Sequence, residues 1–122
     1  MSGQESRLLG RWGEELAAQY LRERGYEILA SRWRCRFWEI DLIAGNRDYL
    51  CFVEVKLRRN DAFGSPGAFV DRRKQEKLRI SAQLYLADHP TRRQPRFDVA
   101  EIYAPQGMDT KAPQVRLLEN AF

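Results

Sequence analysis

Histidine occurs once in this chain and cysteine twice, and each shortage removes a class of chemistry. His89 stands just before Pro90, at an expected helix end where a cation suits the helix dipole. That leaves histidine-based nucleophilic catalysis without a base. Cys35 and Cys51 have neither the close spacing nor the accompanying histidine of a zinc site, so both are expected as reduced, buried thiols. There is no Walker loop, G-x-G-x-x-G, internal repeat or low-complexity segment, which removes the usual nucleotide-cofactor sites. No apolar run approaches the roughly 20 residues of a membrane span. Met1–Glu5 lacks the charged-then-apolar plan of a signal peptide, and the expected location is the cytoplasm. Lysine is scarce as well, at 4 against 17 arginines. With a net charge of +4, this excess of bidentate phosphate-binding side chains weakly favours a polyanionic partner.

What is present suits one domain. The 122 residues are 43% hydrophobic, enough to bury a core without disulfides. The chain is organised around Glu39–Ala44 and Tyr49–Lys56, two runs rich in β-branched and aromatic residues. Gly45-Asn46-Arg47-Asp48 supplies turn chemistry between them. A hairpin centred on Arg47-Asp48 sets Asp41 opposite Glu54 and Glu39 opposite Lys56, so four charges share one sheet face. Two carboxylates with Cβ atoms roughly 5 Å apart repel, yet they suit a hard divalent cation. A lysine beside that ion could position or deprotonate water. Ordinary cross-strand ion pairs on an exposed face are the other reading of the same pattern.

Residues 6–24 carry helical spacing, with Ser6 as N-cap and Gly25 just past the end. On this helix Glu15 faces solvent. Glu14 lies among small residues, where it either reaches the hairpin as a third acidic group or simply favours the helix dipole. A strand is expected from Tyr26 to Trp38, with Arg32, Arg34 and Arg36 on one face. Such a row could track phosphates or guard a solvent face. A long loop is expected over Leu57–Ala68. A second helix follows from the Asp71 N-cap to His89, with Gln75 on its buried stripe and Arg72, Arg73 and Lys74 adding positive charge. Strands at 96–103 and around 114–118 complete the pattern.

The order Glu14, Asp41, Glu54-Val55-Lys56, Gln75 resembles the PD-(D/E)XK nuclease superfamily, archaeal Holliday-junction resolvases among them. More closely, the chain is similar to the small bacterial YraN-like family. The matching blocks are Gly13-Glu14, Gly25-Tyr26, Glu39–Ala44, Phe52–Lys56, Phe63-Gly64, Lys74-Gln75 and Arg96–Val99.

The resemblance implies a restriction-endonuclease-like α/β fold, a central mixed sheet flanked by helices. It implies Mg²⁺ or Mn²⁺ held by Asp41 and Glu54 with the Val55 carbonyl and Glu14. Lys56 would orient water, and Gln75 would stand at the site. The implied reaction is phosphodiester hydrolysis leaving a 5′-phosphate, on DNA that is branched in the resolvase-like case, by a homodimer. Arg32, Arg34, Arg36, Arg58, Arg72, Arg73 and Lys74 are the candidate nucleic-acid contacts. A non-catalytic nucleic-acid-binding module of the same fold and a structural domain with paired charges are the alternatives. One departure from the family pattern is Trp38, where a glycine usually precedes the Glu-Ile-Asp block; it bears on the substrate path and leaves the ligands in place.

Overall fold

The sheet is laid down by alternation. The structure, a computed structural model, describes residues 3–59 and 70–122; the expected loop around Ala62–Ala68 and the Phe63-Gly64 block lie outside them. The elements run α1 (Gly3–Glu23), β1 (Glu27–Arg34), β2 (Glu39–Gly45), β3 (Tyr49–Arg58), α2 (Arg72–Asp88), β4 (Gln94–Tyr103) and β5 (Gln114–Leu118). Five strands stand in chain order. Neighbours are antiparallel except β3 and β4, because α2 carries the chain across between those two, as a parallel pair requires. Central β3 and β4 are buried on both faces and read as nearly continuous apolar runs. This mixed sheet with a helix on each face is a restriction-endonuclease-like α/β fold.

Each face has its own core. Leu42, Ala44, Cys51, Val53, Ala100 and Ile102 meet Ala17, Ala18 and Leu21 of α1. Ile43, Leu50, Phe52 and Val99 meet Leu78, Ala82 and Tyr85 of α2. Small residues let α1 approach closely: a Cβ on Gly13 would stand 3.1 Å from the Leu57 side chain.

Helix ends follow the sequence in part. Gly25 takes φ +89°, and Tyr26 N–H to Leu21 O and Gly25 N–H to Arg22 O close a Schellman motif. Asp71 caps α2 through the Lys74 amide at 2.8 Å, and His89 ends that helix. Ser6 is not a cap, because the helix begins at Gly3 and takes Glu5 into its first turn. The long strand expected to Trp38 also breaks early. Cys35 N–H donates to Trp38 O at 3.0 Å, and this tight turn reverses the chain into β2. Arg36 therefore sits in a turn over the Phe37 ring, out of any row with Arg32 and Arg34.

One buried ion pair ties the sheet to α1's end. Arg96 grips both oxygens of Asp98 at 2.9–3.2 Å and donates to the Tyr26 hydroxyl at 2.7 Å. The Asn120 amide adds a further partner for Asp98. Removing one member of such a pair strands the other charge in the core. Asp98→Ala is thus expected to cost about 3–5 kcal/mol, read as a lower urea midpoint with an unchanged slope.

Candidate active site

The β2–β3 pairing runs from Gly45 opposite Leu50 to Leu42 opposite Val53 and stops, and the site lies where it stops. One step further the ladder would set Asp41 opposite Glu54. Instead, Asp41 uses its side chain: Oδ2 accepts the Val55 N–H at 2.8 Å. A backbone donor that would serve the sheet now fixes a carboxylate.

Opposite Asp41 on β1, between the pairs Ser31–Leu42 and Trp33–Ile40, Arg32 takes a left-handed φ of 51°. Such a conformation costs a non-glycine residue about 1–2 kcal/mol. The irregularity breaks alternation in both strands. Trp33 and Ile40 turn to the α2 side, where Ile43 already lies, and Arg32 turns to α1, binding Glu14 at 2.7 Å.

Glu54 comes from the next strand and is buried, with 6% of its surface exposed. Its Oε1 lies 2.5 Å from Lys74 Nζ and 3.8 Å from Lys56 Nζ. Its Oε2 is buried and accepts no hydrogen bond among the described residues. Burial, then the Glu54 charge, pushes Asp41 up to about 7 against the pull of the Val55 amide; Glu14 adds to the push.

The two lysines differ. Burial and the neighbouring Lys74 ammonium lower Lys56. For Lys74 burial opposes the charge, but the hydrogen bond and charge of Glu54 outweigh it and raise the group. Lys56 therefore gives up its proton more readily.

A buried and a half-buried carboxylate that repel each other, the buried one with an unpartnered oxygen, fit a hard divalent cation. Asp41 and Glu54 are the pair that could hold it. Among the described residues no group of three His, Cys, Asp or Glu side chains is assembled for a metal; Glu14 is engaged by Arg32. Glu14 nonetheless reaches the neighbourhood of Asp41, as its effect on that carboxylate requires.

Other expected positions come out differently. Glu39 does not meet Lys56; it pairs across β1 with Arg34 at 3.0 Å, because the β2–β3 ladder has already ended. Gln75 stands at the start of α2, but its amide donates to Val70 O at 2.8 Å rather than to the carboxylates. Val55 contributes its N–H. Lys74, a candidate nucleic-acid contact on the sequence, is inside the site. The Lys74-Gln75 block is visible in the chain, yet only the rotation of α2 decides which of two neighbours faces the sheet. Arg72 and Arg73 are exposed on the first turn of α2, and Arg58 lies 3.8 Å from Glu101.

Glu101 is a buried acid that the sequence does not single out. It is fully buried between Arg58 and Arg116 and stands beside Lys56 in the parallel register. In chain order it follows a valine and an alanine, and nothing in its local pattern separates it from a solvent-facing glutamate. Trp38 packs on the α2 side, with Lys74 and Lys77 Nζ 5.5 and 5.0 Å from its ring. It steadies the lysine that holds Glu54. Among the described residues no helix is long and apolar enough to cross a membrane.

The sequence profile described as uncharacterised protein family UPF0102 matches residues 13–102. A UPF0102 protein of Syntrophomonas wolfei is 48% identical over 119 residues, covering 96% of this chain and 99% of that protein. One of Acetivibrio thermocellus is 43% identical over 119 residues, covering 95% and 92%. One of Rhodococcus jostii is 44% identical over 117 residues, covering 93% and 95%.

Proposed function

We propose that this chain, which belongs to the uncharacterised protein family UPF0102, is a Mg²⁺- or Mn²⁺-dependent endonuclease that hydrolyses phosphodiesters of DNA. The observation that carries the reading is the pair of half-buried Asp41 and buried Glu54, with one Glu54 oxygen unpartnered and Lys56 alongside. The Val55 amide fixes Asp41, and Glu54 comes from the adjacent strand, so both ligands rest on rigid elements. When bound, the cation neutralises the two carboxylates and stabilises charge on the reacting phosphate and departing oxygen. Lys56 orients the attacking water and accepts its proton at Nζ, a role suited to a lysine held below its ordinary value. Branched DNA and a two-fold dimer are the resolvase-like form of this proposal.

A second reading draws on Lys74. An ammonium seated on Glu54 partly satisfies the carboxylate without any metal, as a non-catalytic nucleic-acid-binding module would require. Cleavage separates the two. Labelled linear, flapped, single-stranded and four-way-junction DNAs are incubated with Mg²⁺ or Mn²⁺, with Asp41→Asn and Lys56→Ala as controls. Cutting that both substitutions abolish is the expected result. Salt-sensitive binding without cutting, unchanged by either substitution, assigns the chain to the binding module.

A further inference from the structure

Two clefts adjoin along α1 and β1, of about 380 and 450 Å³, and they share Arg11, Glu14 and Arg32. Together they form one trench. Arg7 and Arg34 line one end and Arg22 the other. Arg7, Arg11 and Arg22 fall within a narrow arc of the helix and span about 22 Å.

The charges in the trench are not equivalent. Arg32 and Arg34 are held by Glu14 and Glu39. Arg7, Arg11 and Arg22 are exposed, and among the described residues they make no ion pair. Three unpaired guanidiniums along one line offer bidentate donors to successive anions. Among the described residues no aromatic side chain lines either cleft, so these walls give bases nothing to stack on, and single-strand recognition lacks its usual platform there.

The trench also has a fixed relation to the carboxylates. Arg32, shared by both clefts, stands across from Asp41 between two paired positions of β1 and β2. Glu14, on the opposite wall, is close enough to act on Asp41. Arg32 and Glu14 thus bring the trench to the neighbourhood of Asp41, which itself lines neither cleft.

We infer that the α1–β1 trench binds the phosphate backbone of a nucleic-acid duplex through Arg7, Arg11 and Arg22 and leads one strand past Asp41. The inference deepens the nuclease reading and rests on it for the purpose of the track. A duplex strand offers a phosphate every 3.4 Å or so of axis, about six over this span. Backbone contacts of this kind set register and carry no sequence information. Glu15, also in the trench and exposed, opposes the same ligand, so it supplies a test of opposite sign.

The experiment is fluorescence anisotropy of a labelled blunt duplex in Ca²⁺, with salt titrated, alongside cleavage of the same duplex in Mg²⁺. Arg7→Gln, Arg11→Gln and Arg22→Gln are each expected to weaken binding several-fold and flatten the slope of log K against log salt by about 1. Glu15→Gln is expected to tighten it. Arg47→Gln, equal in charge removed but placed in the β2–β3 turn, is expected to change neither. In cleavage the trench variants raise KM and leave kcat. Wild-type binding and slope in the arginine variants, or losses no larger than those of Arg47→Gln, overturn the trench. So does tighter binding of the corresponding single strand. If the arginine variants lose duplex binding while wild type never cuts, the trench stands and the nuclease reading falls.

Discussion

Asp41→Asn is expected to have two large effects of opposite sign. In Mg²⁺ it lowers cleavage by about 10²–10³-fold, the scale of losing a group aimed at transition-state charge. In chelator, above neutral pH, it makes the protein more stable. The reason is that the fold holds Asp41 up at about 7, through burial and then the Glu54 charge. A carboxyl raised on folding contributes its stability below its unfolded value of about 3.9, and that contribution is lost as pH rises through its folded value. Metal-free wild type should therefore lose stability between roughly pH 4 and 7, by up to about 4 kcal/mol if the full shift is realised. The substituted asparagine would accept the Val55 N–H through its amide oxygen and carry no charge. Urea midpoints across pH, in chelator and in Mg²⁺, read both halves. Equal pH slopes for wild type and Asp41→Asn would remove the basis for a strained carboxylate pair.

The two lysines should separate just as sharply. Lys56→Ala is expected to lower turnover at saturating Mg²⁺ by about 10²–10⁴-fold, the range for removing a group that handles the reacting proton. Metal binding should remain. Lys74→Met instead leaves Glu54 buried with only Lys56 at 3.8 Å, at a cost of up to about 3–5 kcal/mol in chelator. Mg²⁺ should restore most of that loss, because a cation that binds only the folded state stabilises it. The same variant should need less Mg²⁺ for half-maximal rate, since the ammonium no longer competes for Glu54. Rate against Mg²⁺ concentration, with paired urea curves, measures this. Turnover abolished in Lys74→Met and kept in Lys56→Ala would exchange the roles assigned to them.

Much of this site can be read from the chain because a hairpin is local. Asn46, whose side chain accepts from the Asp48 and Tyr49 amides, sets the turn, and the turn sets the register that brings Asp41 toward Glu54. The Asp71 cap and the Gly25 Schellman turn are legible for the same reason. What alternation cannot give is where the ladder fails. Period-two reasoning carries Glu39 to Lys56 and Arg36 into line with Arg34, whereas the left-handed Arg32 and the Cys35–Trp38 turn redirect both strands. Lys74 on Glu54 and Glu101 beside Lys56 depend on how α2 and β4 dock against β3. No pattern within either segment encodes those contacts.

Calorimetric titration of Mn²⁺ into the protein, above the pH at which Asp41 ionises, asks whether Asp41 and Glu54 form one cation site. Wild type should take up one ion per chain, with Asp41→Asn and Glu54→Gln taking up none at the same concentrations. Failure of folded wild type to bind Mn²⁺, or binding unchanged in both variants, would contradict the assignment and leave Glu54 as the partner of Lys74 and Lys56 only.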